Sequence, residues 1–385
     1  MSSDLLKQAK AMQSWSVKHY RHLHRYPELS LQEKATSKYC QDILKSLGYK
    51  IKKCFKYGFI ADLNIKNTDK KIAFRADMDA LPLTEKNTFK FISKNKSVAH
   101  MCGHDVHMTV ALTTAKLLAE NSHQLPCSVR FIFQPSEEEA PGGALGMIQA
   151  GCLDGVNEIY GLHCNPHLPV GNIGTRIGTL LAAADTFTIK ITGAGTHAAT
   201  PQYGLDPIYA AAKLVVELQS IISRRIDPVH PAVISVAKFQ AGTAFNIIPD
   251  TAELAVTVRT FDAKDRTLIQ KCMRQLLKGL DACDYKCQLN YIKGYNALIN
   301  KPQGVNRLVE AAKKIIPVSN IDQNIDPVGG AEDFCYYLQK RPGTFFWLGV
   351  GNPKWKIIEP SHSPRFKIDE NALPVGAAIM ASLVI

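Results

Sequence analysis

Residues 100–107 read His-Met-Cys-Gly-His-Asp-Val-His and place a thiol, three imidazoles and a carboxylate within eight positions. A single glycine separates Cys102 from His104, so a bend there lets both side chains converge on one ion. Thiolate and imidazole are ligands that suit zinc and similar divalent metals. The apolar residues 106–118 predict a helix that follows this turn, with Asp105 at its N-cap. The alternative is a buried cysteine beside hydrogen-bonded histidines on a loop.

The composition limits the classes of protein to which the chain could belong. The chain has 385 residues, of which 46% are apolar, and exceeds the ~150 residues of one ordinary domain. The formal charge of +12 is spread along the chain rather than gathered in a basic run with aromatics, so nucleic acid is not an expected partner. No apolar run approaches the ~20 residues that cross a bilayer, and the N-terminus lacks the pattern of a signal peptide. Ten scattered cysteines without a C-x-x-C pair favour a reducing cytoplasm.

Ligand-type residues follow several predicted strands. The strand at 71–76 leads into Asp77 and Asp79, the strand at 128–134 leads into three glutamates at 137–139, and the strand at 158–162 ends at His163. Ends of strands are where sites form in α/β sheets. Adjacent carboxylates repel one another unless a cation is near, although a solvated acidic loop is the alternative. Upstream, a helix is predicted from about residue 30 to 47, with Glu33 in capping-box position.

The pattern changes after residue 180. Residues 183–293 alternate as strand, helix, strand, strand, helix, strand, which is the order of a ferredoxin-like module. His197, Asn246 and Arg259 lie at turns or late strand positions of this module, where each is more often structural than functional. We therefore expect an α/β protein with a catalytic, metal-binding domain of residues 1–180 and 294–385, and an inserted α+β domain of residues 181–293.

Five ligand-type residues come from four segments of the first domain. A structural zinc takes four ligands, usually in closely spaced pairs, so five are too many for one such ion. They suit two metals that share a ligand and keep a position open for water. These residues are Cys102, His104, Glu138, His163 and His362.

Eight ordered motifs carry a resemblance to a known family. They are RADMDALP (75–82), HMCGHDVHMT (100–109), FQPSEE (133–138), GLHCNPHLPVG (161–171), GAGTHAATP (193–201), NIIPD (246–250), GGAEDF (329–334) and HSPRF (362–366). With them the chain resembles the metallo-aminoacylase and carboxypeptidase family, in the subgroup of hippurate hydrolases, N-acetyl-diaminopimelate deacetylases and plant auxin-conjugate hydrolases. The resemblance implies a three-layer αβα dimetal hydrolase domain and a ferredoxin-like lid that also dimerises.

The resemblance also implies roles for single residues. Cys102 would bridge two divalent ions, zinc or manganese by default, with cobalt or nickel also suited. One site would be completed by His104 and His163, and the other by Glu138 and His362. Glu137 would be the general base, and His197 would stabilise the oxyanion by reaching into the site of a partner subunit. Asn246 and Arg259 would bind the substrate carboxylate, and Asp79 would orient a ligand.

The function expected from this set is metal-dependent hydrolysis of the amide bond of N-acyl amino acids, which releases a carboxylic acid and a free amino acid. The small-molecule substrate, its acyl group and the native metal stay open. A dipeptidase or carboxypeptidase on the same scaffold is the nearest alternative. Glu139 stands where similar enzymes often have glycine. A contact between its carboxylate and a free amine on the acyl side of the substrate would favour the dipeptidase alternative. A non-catalytic binding protein would have lost the base or a ligand, and neither is lost here.

Overall fold

The computed structural model describes residues 2–385, which form two compact units. The large unit contains the chain up to Leu180, Ile299–Asp326 and Asp333–Ile385, and the small unit contains Leu181–Leu298 and Pro327–Glu332. Residues 294–298 and 327–332, expected in the first domain, lie in the small unit. The second segment is joined to this unit by Ala182, which donates its backbone N–H to the carbonyls of Val328 and Gly330 at 3.1 and 2.9 Å.

The helices and strands are given in chain order. The helices are α1 (Ser2–Ala11), α2 (Gln13–Arg25), α3 (Lys34–Ser46), α4 (His104–Glu120), α5 (Ala144–Gln149), α6 (Pro207–Arg225), α7 (Ala263–Asp281), α8 (Pro302–Lys313), α9 (Cys335–Lys340) and α10 (Ala372–Ser382). The strands are β1 (Lys50–Lys53), β2 (Phe59–Leu63), β3 (Lys71–Asp77), β4 (Ser128–Gln134), β5 (Glu158–Pro169), β6 (Ile173–Gly174), β7 (Gly178–Leu181), β8 (Ala183–Thr192), β9 (Thr196–His197), β10 (Ala232–Ala241), β11 (Ile247–Ile248), β12 (Thr251–Thr260), β13 (Lys286–Lys293), β14 (Leu298–Asn300), β15 (Ile321–Asp322) and β16 (Gly343–Gly351). None of the helices in residues 2–385 is both long and apolar enough to cross a membrane.

An eight-stranded mixed sheet forms the centre of the large unit, in the order β1-β2-β4-β3-β5-β16-β6-β15. Its four inner strands β4, β3, β5 and β16 run parallel. Both faces are buried, as expected for parallel strands flanked by helices. On β3, for example, Ile72 and Phe74 join the core cluster that contains α4 and α10, whereas the buried Ala73 between them does not and points to the opposite face.

The small unit is built on a four-stranded antiparallel sheet in the order β10-β12-β8-β13. Helices α6 and α7 cover one face, where Phe187, Ile189 and Ile191 of β8 alternate with outward polar residues. The order along the chain is βαββαβ, as in a ferredoxin-like module. The predicted fold class, an α/β domain with a separate α+β domain, is therefore confirmed.

Two local predictions are wrong at the ends of helices. Asp105 is not an N-cap: Gly103, at φ +91°, holds that position, and Asp105 lies inside α4. Its carboxylate accepts a hydrogen bond from Nδ1 of His24 at 2.7 Å. Glu33 precedes α3 but makes no side-chain cap to it. In both cases the carboxylate bonds a long-range polar partner in addition to one nearby backbone N–H, that of Val106 for Asp105 and that of Leu31 for Glu33.

His24 lies buried between two carboxylates of the large unit. Its Nδ1 contacts Asp105 at 2.7 Å and its Nε2 contacts Glu85 at 3.1 Å. Burial alone would lower the pKa of His24, but the hydrogen bonds and charges of Asp105 and Glu85 raise it to about 9. The imidazole is thus a cation in the folded protein at neutral pH, and it links α2 to the start of α4.

This cluster predicts a pH dependence of stability. The folded pKa of His24 lies above its unfolded value of 6.5, so its contribution is complete below pH 6.5 and is lost as pH rises through 9. Relative to His24→Gln, the stability advantage of the metal-free protein should fall by about 3 kcal/mol between pH 6 and pH 9.5. Urea unfolding followed by tryptophan fluorescence measures it, because all three tryptophans lie in the large unit.

His123→Gln is the matched control, since His123 is exposed and bonds only its neighbour Gln124 among the described contacts. Its difference from the wild type should stay constant over the same pH range. A His24→Gln difference that is equally flat would contradict the charged state inferred for His24.

Candidate active site

The carboxyl ends of three neighbouring parallel strands carry the candidate site. β3 ends at Asp77 with Asp79 two residues on, β4 ends just before residues 136–138, and β5 carries His163. α4 begins beside them at His104. The register of parallel strands thus brings together residues that are far apart in the sequence.

Cys102, His104 and His163 form the first group of potential ligands. Their ligand atoms all lie within 4.8 Å of one another, and Sγ of Cys102 is 3.3 Å from Nε2 of His163. A thiolate and two imidazoles are a donor set suited to zinc and other borderline-soft divalent ions.

A second group consists of Cys102, Glu138 and His362, again with ligand atoms within 4.8 Å of one another. Nε2 of His362 is 3.4 Å from Oε1 of Glu138, which is itself 3.7 Å from Nε2 of His104. His362 adopts the left-handed φ of +68°, and its N–H is fixed by the carbonyl of Met101 at 2.7 Å. A non-glycine residue in this region is uncommon and often lies at a functional site. The two groups share Cys102.

The hydrogen bonds of these side chains fit metal ions. Nδ1 of His104 donates to the carbonyl of Asp79 at 2.8 Å, and Nδ1 of His163 donates to that of Cys164 at 2.9 Å. Such bonds fix the tautomer and leave Nε2 of each ring as the coordinating atom. Among the described residues, Nε2 of His104 and Oε1 of Glu138 are buried without any hydrogen-bond partner. A divalent cation would satisfy both.

His107 belongs to the same sequence motif as Cys102 and His104, but its ring makes different contacts. Its Nδ1 bonds Asp77 at 2.7 Å, and its Nε2 accepts the backbone N–H of Cys164 at 3.0 Å. Both ring nitrogens are therefore occupied, although Asp77, His104 and His107 lie as close together as a ligand set. His107 therefore holds the middle of β5 rather than an ion.

Electrostatics differ among the candidate ligands. Burial, followed by the charges of Glu138 and Glu137, raises the pKa of Cys102 well above its usual range. Burial alone would lower the pKa of His104, yet Asp77 and Asp79 raise it to about 10. The metal-free protein therefore holds protons at both positions at neutral pH, and a cation must displace them.

Glu137 is 6% exposed and has a carboxylate oxygen within 4.8 Å of the ligand atoms of His104 and Glu138. Its backbone N–H donates to Oδ1 of Asp79 at 3.0 Å, and that of Glu138 donates to Oδ2 at 2.9 Å. Asp79 therefore holds the glutamates by their backbone. The side chain of Glu139 is exposed.

A buried ion network beneath the site was not identified from the sequence. Arg75 donates to Asp77 at 2.5 Å, to Asp333 at 2.7 Å and to Gln134 at 2.9 Å. Asp77 in turn holds His107, which bonds the middle of β5, so the network joins the ends of β3 and β4 to β5. Arg75 and Asp77 are two apart on one strand and share a face, which is the signal that could have revealed the first pair.

The three remaining predicted site residues lie in the small unit. His197 is exposed, and its Nδ1 accepts the backbone N–H of Ala199 at 3.0 Å, which places the proton of the neutral ring on Nε2. β9 and β11 bring Asn246 beside this residue, since the carbonyl of Asn246 accepts the N–H of Ala198 at 3.0 Å. Arg259 is held apart at the end of β12, where Nε donates to the carbonyl of Gly329 at 3.0 Å.

Clustered thiol, imidazole and carboxylate donors beside a further buried glutamate define a metallohydrolase-like site. A family profile described as Peptidase family M20/M25/M40 matches residues 73–385. The chain belongs to this family, within its amidohydrolase subgroup, and is a metallo-amidohydrolase of the aminoacylase-like kind. The resemblance found in the sequence is thereby confirmed.

Three relatives illustrate the similarity. The N-acetylcysteine deacetylase of Bacillus subtilis is 39% identical over 98% of this chain and 97% of its own length. The thermostable carboxypeptidase 1 of Saccharolobus solfataricus is 36% identical over 99% of this chain and 97% of its own. Among solved structures, the YXEP protein of Bacillus subtilis, a dinuclear metal-binding peptidase of the M20 family, superposes with a TM-score of 0.85 at 36% identity, covering 97% of this chain and 98% of the other.

Zinc uptake by the metal-free protein should release about two protons at pH 7, because Cys102 and His104 must lose theirs to coordinate. Calorimetric titration with zinc in buffers of different ionisation enthalpy measures the number released. Cys102→Ala should lower both the proton release and the zinc stoichiometry.

Cys164→Ala is the matched control for this titration. Cys164 is also buried, but its thiol faces the carbonyl of Gly103 at 3.7 Å instead of the ligand groups. This variant should bind zinc and release protons like the wild type. Zinc uptake without proton release, or equal effects of the two substitutions, would rule out the protonation states inferred here.

Proposed function

We propose that this protein hydrolyses the amide bond of N-acyl amino acids and releases a carboxylic acid and a free amino acid. The observation that carries the proposal is the convergence of two potential ligand groups on Cys102, with the buried carboxylate of Glu137 beside them. The N-acetylcysteine deacetylase among the relatives supports an acyl amino acid as the substrate class.

In this proposal the large unit holds two divalent ions per subunit, which the description of the YXEP protein as a dinuclear metal-binding peptidase supports. Cys102 would be shared, with His104 and His163 holding one ion, and Glu138 and His362 the other. When bound, the ions supply Lewis acidity that polarises the scissile carbonyl and lowers the pKa of water. Zinc fits a thiolate and imidazole donor set, and manganese, cobalt or nickel can occupy the same ligands.

Glu137 acts as the general base in the proposed mechanism. Its carboxylate takes the proton of the attacking water and then delivers it to the departing nitrogen, which must leave as an amine. The backbone bond to Asp79 holds the residue in place for both transfers. Asp79 also accepts the N–H of Glu138, so base and neighbouring ligand keep a fixed spacing.

Three residues of the small unit complete the proposal. His197, with a proton on Nε2, would donate a hydrogen bond to the oxyanion that forms at the carbonyl. Asn246 and Arg259 would bind the carboxylate of the amino acid, for which a guanidinium is a planar two-point donor. By the family resemblance, the small unit would act as a lid and as the contact of a homodimer.

Glu137→Gln should lower kcat by about 10³-fold or more, because the amide cannot accept the proton of water. Its metal content should stay that of the wild type, since the amide keeps the size of the side chain and the five proposed ligands are unchanged. Steady-state kinetics and metal analysis on the same preparation measure both. Glu139→Gln, which alters the exposed neighbour, should turn over normally. Near-wild-type turnover by Glu137→Gln would refute the mechanism.

A substrate panel tests the reaction class. Metal-free protein is reloaded separately with zinc, manganese, cobalt or nickel and assayed for liberated amine on hippurate, several N-acetyl amino acids and dipeptides. We expect metal-dependent release from one class of N-acyl amino acid. Release only from dipeptides would favour a dipeptidase or carboxypeptidase, the second candidate, which the carboxypeptidase relative supports. No release with metal bound would mean either a narrower substrate than the panel contains or a site that only binds.

A further inference from the structure

The segment between α2 and α3 contains a buried carboxylate that the proposed mechanism does not use. Glu33 is 0% exposed and stands directly before α3, to which it makes no side-chain cap. Its Oε1 accepts two backbone N–H groups, that of Leu31 at 3.0 Å and that of Ser136 at 2.8 Å. The second bond crosses from the segment before α3 to the loop after β4, directly before Glu137.

Ser136 has an unusual backbone. Its φ of +53° is in the left-handed region, which a residue with a Cβ adopts at a cost of order 1–2 kcal/mol. Two hydrogen bonds fix it there: its N–H donates to Glu33, and its carbonyl accepts the N–H of Gly143 at 2.7 Å. The next residue is Glu137, so the direction in which that carboxylate leaves the chain depends on this conformation.

The following two N–H groups are also held by a carboxylate, because Asp79 accepts those of Glu137 and Glu138. Three consecutive N–H groups, at residues 136–138, therefore donate to two buried carboxylates from other segments. Asp79 lies at the end of β3 and contacts a candidate ligand, His104, as well. Glu33 bonds the backbone of Leu31 and Ser136 and has no described hydrogen bond to a candidate ligand, so it offers a way to disturb the base without touching the ligands.

We propose that Glu33 is a positioning residue for Glu137: its Oε1 holds Ser136 in the left-handed conformation and thereby aims the general base. The inference rests on the function proposed above. Only the acceptor atom is required, so a neutral side chain of the same length should serve. Burial raises the pKa of Glu33 to about 7, which is consistent with a neutral acid at this position.

The test compares two substitutions of similar volume, Glu33→Gln, which keeps the acceptor, and Glu33→Met, which removes it. Kinetics are measured on the substrate that the panel identifies. We expect Glu33→Met to lower kcat about 10- to 100-fold with KM nearly unchanged, and Glu33→Gln to stay near the wild type. Equal kcat for Glu33→Met and the wild type, or equal losses for both variants, would overturn the proposal.

Glu28→Met is the matched control. Glu28 lies in the same segment, and its carboxylate accepts the N–H groups of Ala35 and Thr36 at the start of α3. It has no described contact with residues 136–138. If Glu33 merely stabilised the fold, Glu28→Met would lower kcat as Glu33→Met does. We expect the kcat of Glu28→Met to equal that of the wild type.

Hydrogen exchange gives a readout independent of turnover. In the metal-free protein, the amides of residues 136–138 should exchange faster in Glu33→Met than in the wild type, Glu33→Gln or Glu28→Met. Unchanged exchange would overturn the proposal even if activity fell. A wild type without activity on the whole panel would instead refute the proposed function, and the exchange experiment would still decide whether Glu33 holds this loop.

A folding defect can be separated from the positioning effect. If Glu33→Met is not recovered folded, Glu33→Asp retains the carboxyl group and withdraws the acceptor by one methylene, and it should lower kcat with the same exchange signature. Ser136→Gly should partly restore kcat to the impaired variant, because glycine adopts a positive φ without a Cβ penalty. Failure of Glu33→Asp to change either quantity would overturn the inference.

Discussion

The site in the large unit depends on the hydrogen bonds that the carboxylate of Asp79 accepts. Asp79 accepts the hydroxyl of Ser30 at 2.7 Å and the backbone N–H groups of Glu137 and Glu138, while its own carbonyl holds Nδ1 of His104. Burial would favour its neutral form, but the bond and charge of His104 and the two backbone donors keep its pKa below the usual value. Removing this acceptor would leave buried donors unpaired, at about 1–3 kcal/mol each.

Much of this site could be predicted from the sequence because each potential ligand follows a strand or lies in a distinctive motif. Parallel strands place their carboxyl ends at one edge, so the sequence predicts that Cys102, Glu138 and His163 lie near one another. The thiolate and imidazole donors then limit the ion to zinc and similar divalent metals. The roles of His197, Asn246 and Arg259 rest on the family resemblance and stay predictions.

The supporting contacts could not be predicted, because local patterns do not reveal distant partners. Asp333 is 258 positions from Arg75, and Ser136 is 103 positions from Glu33. The capping-box pattern at Glu33 is a local signature, yet the carboxylate bonds a strand-end loop instead. Asp105 likewise bonds His24, 81 positions away, rather than capping its helix. In each case the buried polar group makes a hydrogen bond to a partner that is distant in the sequence, which a local pattern cannot reveal.

The position of β16 has a consequence for the order in which the chain is synthesised. This strand pairs with β5 on one side and β6 on the other, so the central sheet lacks an inner strand until residue 351 has been made. The core cluster of the small unit, by contrast, is built from residues 187–291. A nascent chain can therefore complete the core of the small unit first, while the edge of β5 that pairs with β16 is still unpaired. His362 follows β16, so the last proposed ligand arrives only after the sheet can close.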